Sequence, residues 1–243
     1  FDPALGFVSR TGVMYLNVVT WSDTFSETGS LRITEPFIEI EATTDLDFNL
    51  LDTSIFPGFF METRSGDFAN FWVATHRETF DQSFNMLPGV VVPVGVHKWT
   101  NGQIQMGTSR SRPVDVYVRW RHGGYLNGNA DTYNIGLGWR PTPALSIKFN
   151  EEVNDIRLPG GAFKVQVGSA KINYTVSPDL QFSLLGQYDN LSESLGMNFR
   201  IKWTPQPGND FYLVVNQGYD TTNDQFRPTQ GEASIKGTWT LRF

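Results

Sequence analysis

The chain has 243 residues, of which 18% are charged and 14% aromatic, with a formal charge of −6 and no cysteine. The acidic balance gives no reason to expect nucleic acid as a partner. Without thiols there is no disulfide framework, no thiolate metal site and no cysteine nucleophile. No stretch approaches the roughly 18 apolar residues of a transmembrane helix, which excludes a helical membrane protein.

Candidate strands come first at 12–22, 31–43, 49–64, 67–77 and 96–109. Within "IFPGFFMET" the Pro57-Gly58 pair breaks alternation and predicts a bulge or kink. From Arg112 onward, period-two alternation between turn signals is strict. Val114, Val116, Val118 and Trp120 alternate with Asp115, Tyr117, Arg119 and Arg121. Tyr133, Ile135, Leu137 and Trp139 alternate with Asn134, Gly136, Gly138 and Arg140, and Leu145, Ile147 and Phe149 follow. The phase shifts near Gly168-Ser169. Further apolar rows run over Leu180–Tyr188, Leu195–Trp203, Phe211–Val215 and Ile235–Phe243.

The connections are predicted to differ in length. Short turns with proline fall at 112–113, 141–143, 177–178 and 205–207, and longer polar loops at 122–131, 152–162, 189–194 and 218–231. Short turns at one end and long loops at the other are the pattern of an outer-membrane barrel. Trp139, Tyr174 and Trp203 each precede a short turn, at one end of the sheet; with Trp239 and Phe243 they form a candidate membrane girdle. Capping of a soluble sandwich core is the competing account. A solvated outer face gains nothing from Gly136, Gly138 and Gly196, whereas a lumen wall accommodates them.

The segments sum to about 13 strands, against the even numbers of single-chain bacterial barrels. Either a strand near the start is missed or the chain is the C-terminal part of a larger barrel. The opening Phe-Asp-Pro, with no initiator Met or apolar signal segment, reads as a processed or truncated product.

Several ordered landmarks carry a family resemblance: "FDPALGFVSRTG", "VPVGVHKW", "LPGGAF", "GQYDNLSESLGMNFRIKW" and "QPGNDFYLVVNQGYD". Together they resemble the C-terminal region of a bacterial outer-membrane family. Its members carry a carbohydrate-binding-like domain followed by a long β-rich domain of unknown function, loosely labelled a membrane-associated hydrolase. The resemblance implies a barrel in the outer membrane and supplies no catalytic residue. His97 departs from the Tyr of the family pattern, and the first domain is missing.

Eight cations fall in the register opposite the apolar rows: Arg119, Arg121, Arg140, Lys148, Arg200, Lys202, Lys236 and Arg242. At mid-membrane a lipid-facing Arg or Lys costs roughly 2–4 kcal/mol, so these are candidate lumen-lining residues whose field favours anions. The alternative is neutralisation by Asp115, Asp210, Glu39 and Glu41 into a salt-bridged plug. Glu151 and Glu152 are a tempting glycosidase pair, but adjacent strand residues point to opposite faces. "NGNAD" (127–131) is only faintly like a calcium loop and reads as a turn. His76, His97 and His122 show no metalloprotease spacing, and there is no G-x-S-x-G elbow or phosphate loop. The chain is not read as an enzyme, and no cofactor or metal is expected. The last strand, "EASIKGTWTLRF", resembles the C-terminal signal read by the barrel-insertion machinery.

The reading is therefore an all-β, antiparallel transmembrane β-barrel of about 12–14 strands, a single domain over 1–243, in a Gram-negative outer membrane. Its expected function is a porin-like channel for small, anionic solutes. Its expected partners are outer-membrane lipid and lipopolysaccharide, the insertion machinery and other outer-membrane subunits. A structural barrel subunit of a larger assembly and a soluble carbohydrate-active β-protein are the alternatives.

Overall fold

Period-two alternation becomes strand over most of the described chain; in the last row, strand ends at Thr238 and Trp239 lies beyond it. The computed structural model describes residues 11–240; it is all-β, 78% strand, with an antiparallel sheet of many strands. The strands are β1 (Val13–Trp21), β2 (Thr24–Phe25), β3 (Leu31–Asp45), β4 (Leu50–Thr63), β5 (Phe68–Phe80), β6 (Phe84–Leu87), β7 (Val90–Val92) and β8 (Gly95–Gly107). They continue as β9 (Val114–Tyr125), β10 (Gly128–Thr142), β11 (Leu145–Leu158), β12 (Gly161–Ser177), β13 (Leu180–Asp189), β14 (Ser194–Gln206), β15 (Asn209–Asp220) and β16 (Arg227–Thr238). One 3-10 turn, Thr222–Asp224, precedes β16.

The ladder order is β1-β3-β4-β5-β8-β9-β10-β11-β12-β13-β14-β15-β16, with β2 beside β3 and β6-β7 a separate hairpin. From β8 to β16 strands consecutive in sequence are neighbours in the ladder, as in a meander, and β6-β7 stands outside it between β5 and β8 in sequence. Among the described residues no ladder joins β1 to β16.

The chain divides into two compact units. The first gathers the chain up to Met106 with Trp120–Asp131 and Asp155–Phe163; the second gathers Gly107–Arg119, Thr132–Asn154 and the chain from Lys164.

In the first unit, β3 and β4 stay in register through Ile38↔Pro57 and Phe37↔Gly58, and β4 pairs with β5 through Gly58↔Trp72. The bulge expected at Pro57-Gly58 is not there. Glycine serves a different purpose: a Cβ at position 58 would collide with the Phe37 ring lying over it, an aromatic covering a strand glycine. A small core forms where the β6-β7 hairpin folds back. Val90 and Val92 bury with Leu126 and Leu158, and Phe80, Met86, Leu87, Trp99, Tyr125, Ile156 and Phe163 pack around them.

In the second unit, β12 and β13 keep register from Val167↔Asp189 to Thr175↔Gln181, and the shift lies between Thr175 and Ser177. The phase change expected at Gly168-Ser169 is a change in which face carries the apolar residues, not a break in pairing.

The predicted sorting of loops by length holds only toward the C-terminus, where 143–144, 178–179 and 207–208 are short and 190–193 and 221–226 longer. β9 and β10 are joined by 126–127 alone, and β11 and β12 by 159–160 alone, while 108–113 separates β8 from β9. The polar residues expected in loops are on strands and satisfy one another there. Thr132 Oγ1 donates to Asn154 Oδ1 at 2.8 Å, and Arg157 reaches Asp155 at 2.5 Å.

The faces are inverted relative to a soluble sheet. In β10, Tyr133, Ile135, Leu137 and Trp139 are exposed, while Asn134 and Gly138 are buried; Ile135 is 50% exposed and Asn134 is 7%. On β9, Val114, Val116 and Val118 are exposed, while Asp115, Tyr117 and Arg119 are less so.

Candidate functional site

Strand geometry sends alternate side chains to one face, so each cation's register decides what it meets. On the polar face of the second unit, Arg119 Nη2 donates to Glu152 Oε2 at 2.9 Å, and Asn134 Nδ2 donates to the same oxygen at 3.2 Å. Arg119 Nε is buried with no acceptor among the described residues. Arg140 pairs with Asp115 at 2.7 Å and donates to the carbonyls of Arg110 and Arg112. Gly138 makes room for that pair, because a Cβ there would run into the Asp115 carboxylate.

A basic pocket of about 320 Å³ lies on the polar rows of β12 to β15. Lys171, Arg200 and Lys202 supply its charge; Asn173, Gln181, Ser183 and Tyr212 supply hydrogen-bonding groups. Cross-strand pairing brings them together, through Asn173↔Ser183, Ser183↔Arg200, Gln181↔Lys202 and Lys202↔Tyr212. Lys202 Nζ lies 3.7 Å from Asp210 and 5.8 Å from the Tyr212 ring centre. Among the described residues, Lys171 and Arg200 have no carboxylate within salt-bridge distance. Lys171, Arg200 and Lys202 thus place positive charge on open, largely polar walls.

The predicted cations therefore part company. Arg200 and Lys202 share the pocket, and Lys236 stands opposite Tyr212 on β16. Arg119 and Arg140 are held in ion pairs, the first with Glu152 and not with an N-terminal carboxylate. Lys148 is exposed on β11. Arg121 belongs to the first unit, where it donates to Gln103 Oε1 at 3.1 Å and sits 5.1 Å from the Trp72 ring centre. Arg242 and Phe243 lie outside the described residues. Lys171 was missed: its alternation with Ile172 and Tyr174 is plain, but the apparent phase change just before it hid the register.

Trp139, Tyr174 and Trp203 are all exposed near the turns 143–144, 178–179 and 207–208, on the apolar face. Trp203 and Phe211 approach to 5.5 Å between ring centres, and Phe211 and Trp239 to 6.4 Å, extending the aromatic row across three strands.

A second missed residue is Asp131 in the first unit. It accepts from His122 Nδ1 at 2.7 Å, Trp120 Nε1 at 3.4 Å and Arg157 Nη1 at 3.4 Å. Glu151 and Glu152 do diverge: Glu151 accepts from Gln166, and Glu152 from Arg119. Among the described residues no group of three or more His, Asp or Glu is placed to hold a metal ion. No helix is long and apolar enough to cross a membrane, which says nothing of a β-barrel.

Comparison with known protein families, with curated proteins and with solved structures returns no match.

Proposed function

We propose that the chain is an outer-membrane β-barrel protein acting as a porin-like passage for small, anionic solutes. The observation that carries this reading is the inverted sheet. Val114, Val116, Val118, Tyr133, Ile135, Leu137 and Trp139 are exposed on one face of the second unit, while Asn134 and Gly138 are buried on the other. Burying such a side chain fully is worth about 1.5–3 kcal/mol, so leaving seven about half exposed to water forgoes roughly 7 kcal/mol. That is comparable to the whole net stability of a domain, about 5–15 kcal/mol. Lipid as the solvent for this face removes the penalty. β12, with 17 residues, exceeds the roughly 9–11 needed to span a bilayer, and β13, with 10, falls within that range; the row of Trp139, Tyr174, Trp203 and Trp239 suits one headgroup boundary. In this reading the basic pocket faces the passage and selects for negative charge.

Reconstitution in planar bilayers tests it. Discrete conductance steps are expected, with a reversal potential in a salt gradient that shows anion preference, reduced in Lys171→Gln and Arg200→Gln. Silence from a folded, inserted chain would contradict it. The lack of a ladder between the described residues of β1 and β16 favours a second reading, a barrel subunit completed by strands of another chain. Cross-linking at cysteines introduced along β1 or β16 would then capture a partner.

A further inference from the structure

We propose that the first unit holds a second site, an acidic aromatic pocket for an organic cation that carries an alkylammonium group. The proposal goes beyond the anion passage and does not depend on it, because the pocket is built by β1, β3, β4 and β5 alone.

The pairing register puts the lining residues on one face. Trp21 stands opposite Phe37, and Val19 opposite Glu39; Glu39 stands opposite Phe56, and Phe37 opposite Gly58; Gly58 stands opposite Trp72. With Glu35 and Asn70 these side chains line an open groove of about 360 Å³, within the range of small-ligand sites.

The chemistry of that lining is one-sided. Four aromatic rings (Trp21, Phe37, Phe56 and Trp72) offer electron-rich faces, and Glu35 and Glu39 offer carboxylates. Asp23 lies beside Glu35, and the two carboxyls share a hydrogen bond only when one of them holds a proton. Glu39 accepts one hydrogen bond, from Asn17 Nδ2 at 2.7 Å. Asn70 Oδ1 is buried with no donor among the described residues. Neither Lys nor Arg lines the groove. Carboxylates with no Lys or Arg paired to them among the described residues, beside aromatic rings, suit a positively charged or methylated guest. Rings beside carboxylates are the known chemistry for quaternary ammonium recognition. The ring cluster already takes one cation at its border, since Arg121 lies 5.1 Å from the Trp72 ring centre. Phe56 meets Trp72 edge-on at 5.5 Å and 86°, which fixes the indole. Phe37 lies over Gly58, which fixes the phenyl ring. The walls are thus set before any guest arrives.

Isothermal titration calorimetry on the full chain, folded in detergent micelles, tests the site with choline and with its neutral isostere 3,3-dimethyl-1-butanol. Choline is expected to bind at one site, with a Kd of about 1 mM or tighter, and the neutral alcohol at least about tenfold more weakly. Glu39→Gln and Trp21→Leu are each expected to weaken choline about fivefold or more; Trp21 is exposed, so its replacement leaves the fold intact. Lys171→Gln, in the basic pocket of the other unit, should leave choline binding unchanged. Equal affinity for choline and the alcohol, wild-type affinity in both pocket variants, or no saturable heat would each overturn the proposal. Loss of anion conductance with choline binding retained would sink the passage alone.

Discussion

Val92 is fully buried in the cluster made where the β6-β7 hairpin folds back, while Val91, next to it, is half exposed. Val92→Ala removes two methyl groups at about 0.8 kcal/mol each and leaves a small cavity that the neighbours only partly fill. The hairpin should then lose about 2 kcal/mol of closing free energy, which corresponds to roughly 30-fold more frequent local opening at 1.4 kcal/mol per tenfold. Hydrogen exchange read by mass spectrometry over 84–92 measures this directly. Val91→Ala is the control and should accelerate exchange less than about threefold, because its side chain already meets solvent. The reasoning fails if both variants exchange alike, or if Val92→Ala leaves the hairpin amides at the wild-type rate.

Gly58→Ala should displace the Phe37 ring and cost about 1–3 kcal/mol in a reversible unfolding titration, as overpacking does; the double change Gly58→Ala with Phe37→Ala should recover part of it. Arg140→Ala leaves the Asp115 carboxylate without its partner, and should destabilise the second unit more than Lys148→Ala does, by denaturant midpoint.

Where both faces of a strand keep a steady chemical contrast, the sequence is enough to place it. Val114 to Trp120 and Tyr133 to Trp139 alternate without exception, and β9 and β10 contain them in the expected register. Even the N-terminal strands fall within a few residues of the periodic segments. What the sequence hides is where polar pairing replaces apolar contrast. His122, Asp131, Asn154, Asp155 and Arg157 read as loop residues because each favours water; in the structure they lie on strands, where His122 meets Asp131, Thr132 meets Asn154 and Arg157 meets Asp155. Arg200 and Lys202 were legible from register alone as members of one polar row. Their companion Lys171 was obscured by the small residues Gly168, Ser169 and Ala170 before it. The acidic aromatic pocket was beyond reach for another reason: Trp21, Glu39, Phe56 and Trp72 lie on four strands, and only long-range pairing brings them together.

The account rests on which face of the sheet meets lipid, and the absence of cysteine allows single spin labels to be placed without background. Labels at consecutive positions from 133 to 139, in the chain reconstituted into vesicles, would report collision with oxygen, which partitions into lipid, and with a water-soluble nickel chelate. The predicted result is a two-residue period, with oxygen favoured at 133, 135, 137 and 139 and nickel at the positions between. Nickel access at the odd positions, or no alternation at all, would contradict a lipid-facing apolar row and with it the barrel.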